Sequence, residues 1–176
     1  MIYGDGWRFV ENPSTGSTAV ANWLLRHADG RRPPDVLKHE FPFKHNPGMV
    51  TFGVIRHPYD RLVSAWRRKY YNTDFNVWLD SHPLIVGPVD LLRTPQETWL
   101  WLCDVILNYE ELDLAFAMIA KDMGWPNEPL PVENQAIHPG YPKLLPHSVT
   151  KILDRFKLDF DHYAWGTEFG DRVRVH

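Results

Sequence analysis

Phe9-Val10-Glu11-Asn12-Pro13-Ser14-Thr15-Gly16-Ser17-Thr18-Ala19-Val20-Ala21-Asn22-Trp23 is the stretch that decides the fold. Phe9 and Val10 read as the end of a buried strand, and Asn12-Pro13-Ser14-Thr15-Gly16 is loop chemistry. Ser17 or Thr18 opens a helix that carries Ala19, Val20, Trp23 and Leu24. A strand, a small-residue loop and a helix N-terminus form an anion site, because free N–H groups and the helix dipole point at whatever occupies the loop. Gly16 permits close backbone approach, and the Ser and Thr hydroxyls offer further donors. A capped helix after a strand, with nothing bound, accounts for the same residues equally well. The Walker pattern GxxxxGK[ST] is absent.

Outward from this stretch, apolar runs alternate with amphipathic ones. Residues 7–11 read as the first strand and residues 17–27 as the first helix, with residues 1–6 a short polar lead. Asp29-Gly30 ends the helix. Residues 35–44 suggest a short helix and a short strand. Met49-Val50-Thr51-Phe52-Gly53-Val54-Ile55 is nearly all apolar, as in a central strand buried on both faces. His57-Pro58 breaks it, and residues 60–71 read as a helix with Leu62, Val63, Trp66 and Tyr70 on one face and Arg61, Arg67 and Arg68 mostly off it. Residues 72–89 read as a loop with a short helix at most. Thr94-Pro95-Gln96-Glu97 starts a helix. Residues 104–109 read as a third buried strand, residues 111–123 as a helix stopped at Gly124, and residues 126–146 as a proline-punctuated loop. Ser148 is read as capping a last helix, and Phe160, Tyr163 and Trp165 as packing a C-terminal segment. Strands alternating with helices predict a single α/β domain over residues 1–176, with a central mainly parallel sheet flanked by helices. Ligands in such sheets sit at the carboxyl ends of the strands.

Composition narrows the function classes. The chain has 176 residues, 44% hydrophobic and 23% charged, which suits a folded domain and not a disordered one. A formal net charge of −3 argues against a general nucleic-acid binder. One cysteine, Cys103, excludes an intrachain disulfide and allows a reducing compartment. There is no basic segment leading into an apolar signal-like run, and no apolar run of membrane-spanning length, so a cytoplasmic protein without a membrane partner is expected. Nine histidines occur without HExxH or HxxxH spacing, so no metal site is expected.

Arg56 follows the second central strand at that same carboxyl edge, and Ser64 lies on the next helix. Arg and Ser so placed can grip a second phosphate through charge-assisted bonds, although a surface Arg and a helix Ser are the commoner outcome in isolation. Two anion sites at one sheet edge suggest a nucleotide with phosphates at both ends of its ribose.

Several motifs then carry a resemblance. Pro13-Ser14-Thr15-Gly16-Ser17-Thr18 resembles the P-K-x-G-[ST]-[ST] loop of sulfotransferases that use 3′-phosphoadenosine 5′-phosphosulfate (PAPS). Ile55-Arg56-His57-Pro58-Tyr59-Asp60-Arg61-Leu62-Val63-Ser64-Ala65-Trp66 resembles their 3′-phosphate motif, the more specific of the two. Ile106-Leu107-Asn108-Tyr109-Glu110-Glu111-Leu112, Leu130-Pro131-Val132-Glu133-Asn134 and Asp159-Phe160-Asp161-His162-Tyr163 extend the similarity, within the carbohydrate-sulfotransferase-like branch. The resemblance implies a P-loop-like three-layer fold and PAPS as sulfuryl donor, with no metal. It places Pro13, Ser14, Thr15, Gly16, Ser17 and Thr18 on the phosphosulfate and Arg56 and Ser64 on the 3′-phosphate. The acceptor it implies is a hydroxyl, of a carbohydrate or small molecule, or an amine. One departure stands out: the family has Lys where this chain has Ser14, so either Lys38, Lys44 or Arg8 replaces that cation or turnover is weak.

The resemblance also implies a base between the first helix and the Arg-bearing strand. His39 is the first choice, with His27, Glu40 and His45 as rivals. Trp23 suits either adenine stacking or the core, and Trp78, Tyr71 and His82 either a sugar platform or core closure. The competing readings are a PAPS-binding protein of the same fold with weak or no turnover, supported by Ser14, and a small-molecule P-loop kinase, disfavoured by the missing Walker lysine.

Overall fold

The computed structural model describes residues 1–36, 38–39, 44, 47–81, 94–133, 140–163 and 165. Four strands form one sheet in the order β1-β2-β3-β4: β1 (Ile2–Gly4), β2 (Trp7–Val10), β3 (Val50–Ile55) and β4 (Val105–Asn108). β2, β3 and β4 are parallel, with Phe9 opposite Phe52 and Phe52 opposite Val105. β1 joins antiparallel through Ile2 and Phe9. A mixed α/β fold with a mainly parallel sheet and flanking helices is therefore what the chain adopts, as its alternating pattern requires. Seven helices occur among the described residues: α1 (Ser17–His27), α2 (Pro58–Lys69), α3 (Phe75–Ser81), α4 (Gln96–Leu100), α5 (Leu112–Asp122), α6 (Pro146–Arg155) and α7 (Lys157–His162).

The chain divides into two compact units, one of Met1–Arg56 with Thr98–Asn134 and one of His57–Glu97 with Gln135–His176. The sheet, α1 and α5 belong to the first. Trp7, Phe9, Phe52 and Val54 project from alternate strand positions into a core closed by Val20, Trp23 and Leu24 of α1 and Leu112, Phe116 and Ala120 of α5. Each buried Val, Leu or Phe among these contributes about 1.5–3 kcal/mol. Trp23 is core: it is 1% exposed, packs edge-on against Phe116 and donates its indole N–H to the Glu128 carbonyl.

The second unit has its own core, built from Tyr59, Leu62 and Val63 of α2, Phe75, Trp78 and Leu79 of α3, and Ile152, Phe156 and Phe160 of the C-terminal segment. Trp78, at 1% exposure, closes this core, whereas Tyr71 is exposed.

Several sequence expectations need correcting. Residues 2–4 are a strand and not a lead, because Gly6 takes φ 71° and turns Ile2–Gly4 back onto β2. Among the described residues β4 is a sheet edge and not a buried strand: within it only Leu107 is buried, and Ile106 is exposed. Arg61 lies inside its unit and not off the apolar face, since its guanidinium donates to the Thr94 carbonyl at 3.0 Å. Ser148 does not cap α6. Pro146 takes the first helical position with Leu145 as the cap, which leaves Ser148 buried within the first turn. The end of α1 falls where the sequence places it, at His27 just before Asp29-Gly30, and Asp29 takes the left-handed conformation at φ 51°. The short helix and strand read into residues 35–44 fall partly outside the described residues, and His82, Glu40 and His45 lie outside them.

Candidate active site

β3 and β4 end level, Ile55 pairing with Asn108, and β2 stops two residues short of them, Val10 pairing with Gly53. The next residues along each strand are therefore neighbours at one carboxyl edge: Glu11 and Asn12 after β2, Arg56 after β3, Tyr109 after β4. All lie in the first unit.

The loop is held from below by Asn12. Its side-chain amide donates to the Val54 carbonyl of β3 at 3.0 Å, and its own carbonyl accepts from the Thr15 hydroxyl at 2.9 Å and the Ser17 hydroxyl at 2.7 Å. Pro13, Thr15 and Ser17 are buried, whereas Ser14, Gly16 and Thr18 are half-exposed. The Thr15 and Ser17 hydroxyl protons are thus directed into the loop, and these side chains shape it. The Ala19 N–H is bonded to the Gly16 carbonyl at 3.0 Å, which leaves the Ser17 and Thr18 N–H groups and the Thr18 hydroxyl for an anion. Ser14 at φ 62° and Gly16 at φ 79° curl the backbone through left-handed geometry, and no side chain caps α1.

Arg56 lies across this loop. Its guanidinium stands 4.0 Å over the Tyr109 ring and donates to the Ser14 carbonyl at 3.4 Å. Tyr109, in a 3-10 turn that follows β4, also borders Gly16: a β-carbon built there would come within 2.8 Å of its ring. Tyr109 belongs to the Ile106–Leu112 motif, which by itself marks no role for it. Its position one residue past a parallel strand, level with Arg56, was the available signal.

His39 meets the loop at its entry. Its Nδ1–H donates to the Glu11 carbonyl at 2.7 Å. A carbonyl only accepts, so this bond fixes the tautomer with the proton on Nδ1 and the lone pair on Nε2. Burial holds the His39 pKa below 6.5, the Glu11 carbonyl partly opposing it. A histidine neutral at pH 7, oriented through one nitrogen and basic at the other, is equipped to take a proton. His27 is no rival, because it lies at the far end of α1, roughly 15 Å along the helix from the loop at 1.5 Å per residue.

Of the three replacement cations, Arg8 is buried, bonded to Thr51 Oγ1 and the Lys44 carbonyl at 3.1 Å each. The Lys38 ammonium reaches Thr18 Oγ1 at 3.5 Å. Ser64 sits half-buried on α2 in the second unit, so its place beside Arg56 rests on the sequence pattern. Among the described residues no cluster of three or more His, Cys, Asp or Glu is arranged for a metal, and no helix is long and apolar enough to cross a membrane.

A small-residue loop feeding a helix N-terminus at the carboxyl edge of a parallel sheet, with an Arg laid across it, defines a P-loop-like fold. Residues 21–112 match the sulfotransferase family, and the chain belongs to it. His39, Arg56, Ser64 and Tyr109 lie within the matched span, while the loop precedes it. No curated protein and no solved structure gave a significant match. Membership supports sulfuryl transfer as the function of the chain.

Proposed function

We propose that this protein transfers the sulfuryl group of PAPS to a hydroxyl of a carbohydrate or small molecule, or to an amine. The loop Pro13-Ser14-Thr15-Gly16-Ser17-Thr18 and the start of α1 take the 5′-phosphosulfate, Arg56 takes the 3′-phosphate, and Ser64 joins it on the motif resemblance alone. His39 is the base. The observation that carries this reading is that the anion loop, Arg56 and a base-ready histidine converge on one sheet edge of one unit.

Sulfuryl transfer depends on alignment and charge stabilisation, as phosphoryl transfer does. His39 Nε2 accepts the proton of the acceptor as its oxygen or nitrogen bonds to sulfur. The bond from sulfur to the bridging oxygen breaks, and 3′-phosphoadenosine 5′-phosphate leaves with the electron pair. The Glu11 carbonyl, bonded to Nδ1–H, steadies the imidazolium that forms.

The test is transfer of labelled sulfate from PAPS to a panel of saccharides, phenols and amines. The parent chain labels at least one acceptor, and His39→Ala reduces turnover by roughly 10²–10⁴-fold, the usual range for loss of a general base. Tight donor binding with no labelling of any acceptor would favour the second reading, a binding protein without turnover, which Ser14 supports. Ser14→Lys then separates the two: activity that appears only in this variant marks the parent as a binder.

A further inference from the structure

Residues 12–18 carry no charged side chain, yet a 5′-phosphosulfate brings two negative charges to them. Helix N–H groups supply only about half a positive charge, so a full cation is needed close by. Resting on the donor reading above, we infer that Lys38 is the cation for the 5′-phosphate.

Three observations carry this. The Lys38 ammonium lies 3.5 Å from Thr18 Oγ1, on the first turn of α1, where the dipole already favours an anion. Lys38 is exposed, so its charge is free to turn from Thr18 to a ligand. Its neighbour His39 is tied to the Glu11 carbonyl at 2.7 Å, one residue before the loop, which holds the backbone of this segment against the site. Two other cations of this unit have different work. Arg8 spends both terminal nitrogens inside the protein, and Arg56 is spread over Tyr109 and the Ser14 carbonyl. Lys38 and His39 then act as a pair on one short segment, the first on the leaving phosphate and the second on the incoming acceptor.

The experiment compares 3′-phosphoadenosine 5′-phosphate with adenosine 3′-phosphate, which lacks the 5′ group, by calorimetric titration. One charge-assisted contact at a half-exposed site corresponds to about a tenfold change in affinity. Lys38→Met is expected to weaken the bisphosphate about tenfold, and Lys38→Arg to stay within about threefold of the parent, while adenosine 3′-phosphate changes less than about twofold in either. Adding Ser14→Lys to Lys38→Met restores bisphosphate binding. Unchanged bisphosphate affinity in Lys38→Met, or a parallel loss of both nucleotides, overturns the assignment of Lys38 and leaves the donor reading intact. A parent chain that binds no bisphosphate overturns the donor reading, and this inference with it.

Discussion

Replacing Gly16 with alanine tests the loop more sharply than any other single change. The position sits at φ 79°, and an alanine β-carbon would lie 2.8 Å from Tyr109 Cε2, 2.9 Å from Cδ2 and 3.2 Å from Leu112 Cδ2. Left-handed backbone costs a non-glycine residue roughly 1–2 kcal/mol. The methyl group must also push the Tyr109 ring, for about 1–2 kcal/mol more by analogy with overpacked cores. The sum, roughly 2–4 kcal/mol, corresponds to a fall in Tm of about 5–15 °C for a chain of this size. Because Tyr109 also lies 4.0 Å beneath the Arg56 guanidinium, moving the ring moves Arg56, and donor affinity falls as well. The assay is a double-mutant cycle read by thermal melting. In a Tyr109→Ala background the steric part disappears and Gly16→Ala costs only the backbone part, giving a coupling of about 1–2 kcal/mol. An equal cost in both backgrounds would refute the Tyr109 packing argument, and a cost below about 0.5 kcal/mol in both would refute the loop geometry itself.

Three further outcomes follow from the same contacts. Burial lowers the His39 pKa in the fold, so its contribution to stability is present above 6.5 and is lost as pH falls through the folded value; melting curves of the parent between pH 7.5 and 5 should show this acid loss and those of His39→Asn should not. Gly53→Ala on β3 would bring a methyl to 2.4 Å from Leu100 Cδ2, for a loss of about 1–3 kcal/mol in denaturant unfolding. Burial raises the pKa of Asp159, which accepts from the Glu97 N–H at 3.0 Å and the Gln96 amide at 3.3 Å; its contribution is present below 3.8 and is lost as pH rises through the folded value, so a pH–stability series should show that loss relative to Asp159→Asn.

Much of the sheet was legible because local chemistry dictates it. Residues 49–55 are apolar without alternation, which only a strand covered on both faces tolerates, and β3 is that strand. The first helix was legible to within about a residue, since Gly16 turns the chain and the apolar stripe begins at once. Local signals failed where the tertiary environment decides. Val105, Ile106 and Leu107 read as interior, yet among the described residues β4 pairs on one side only and shows Ile106 to solvent. Arg61 read as surface because charge usually is, but a carbonyl 33 residues away satisfies it inside. The site followed the same division. Asn12, Ser14 and Gly16 could be placed on the loop between β2 and α1 from composition and order alone. The bond from His39 to the Glu11 carbonyl and the approach of Lys38 to Thr18 join segments 28 and 20 residues apart, and no local pattern records such pairings.

The central claim is a nucleotide site that reads phosphate at both ends of the ribose, and calorimetric titration with 3′-phosphoadenosine 5′-phosphate, set against ATP with magnesium, tests it most directly. The account predicts micromolar binding of the bisphosphate, weakened at least about tenfold in Arg56→Ala by loss of a charge-assisted contact, and no comparable binding of ATP. Binding of magnesium ATP more tightly than the bisphosphate, or bisphosphate binding indifferent to Arg56, would contradict it.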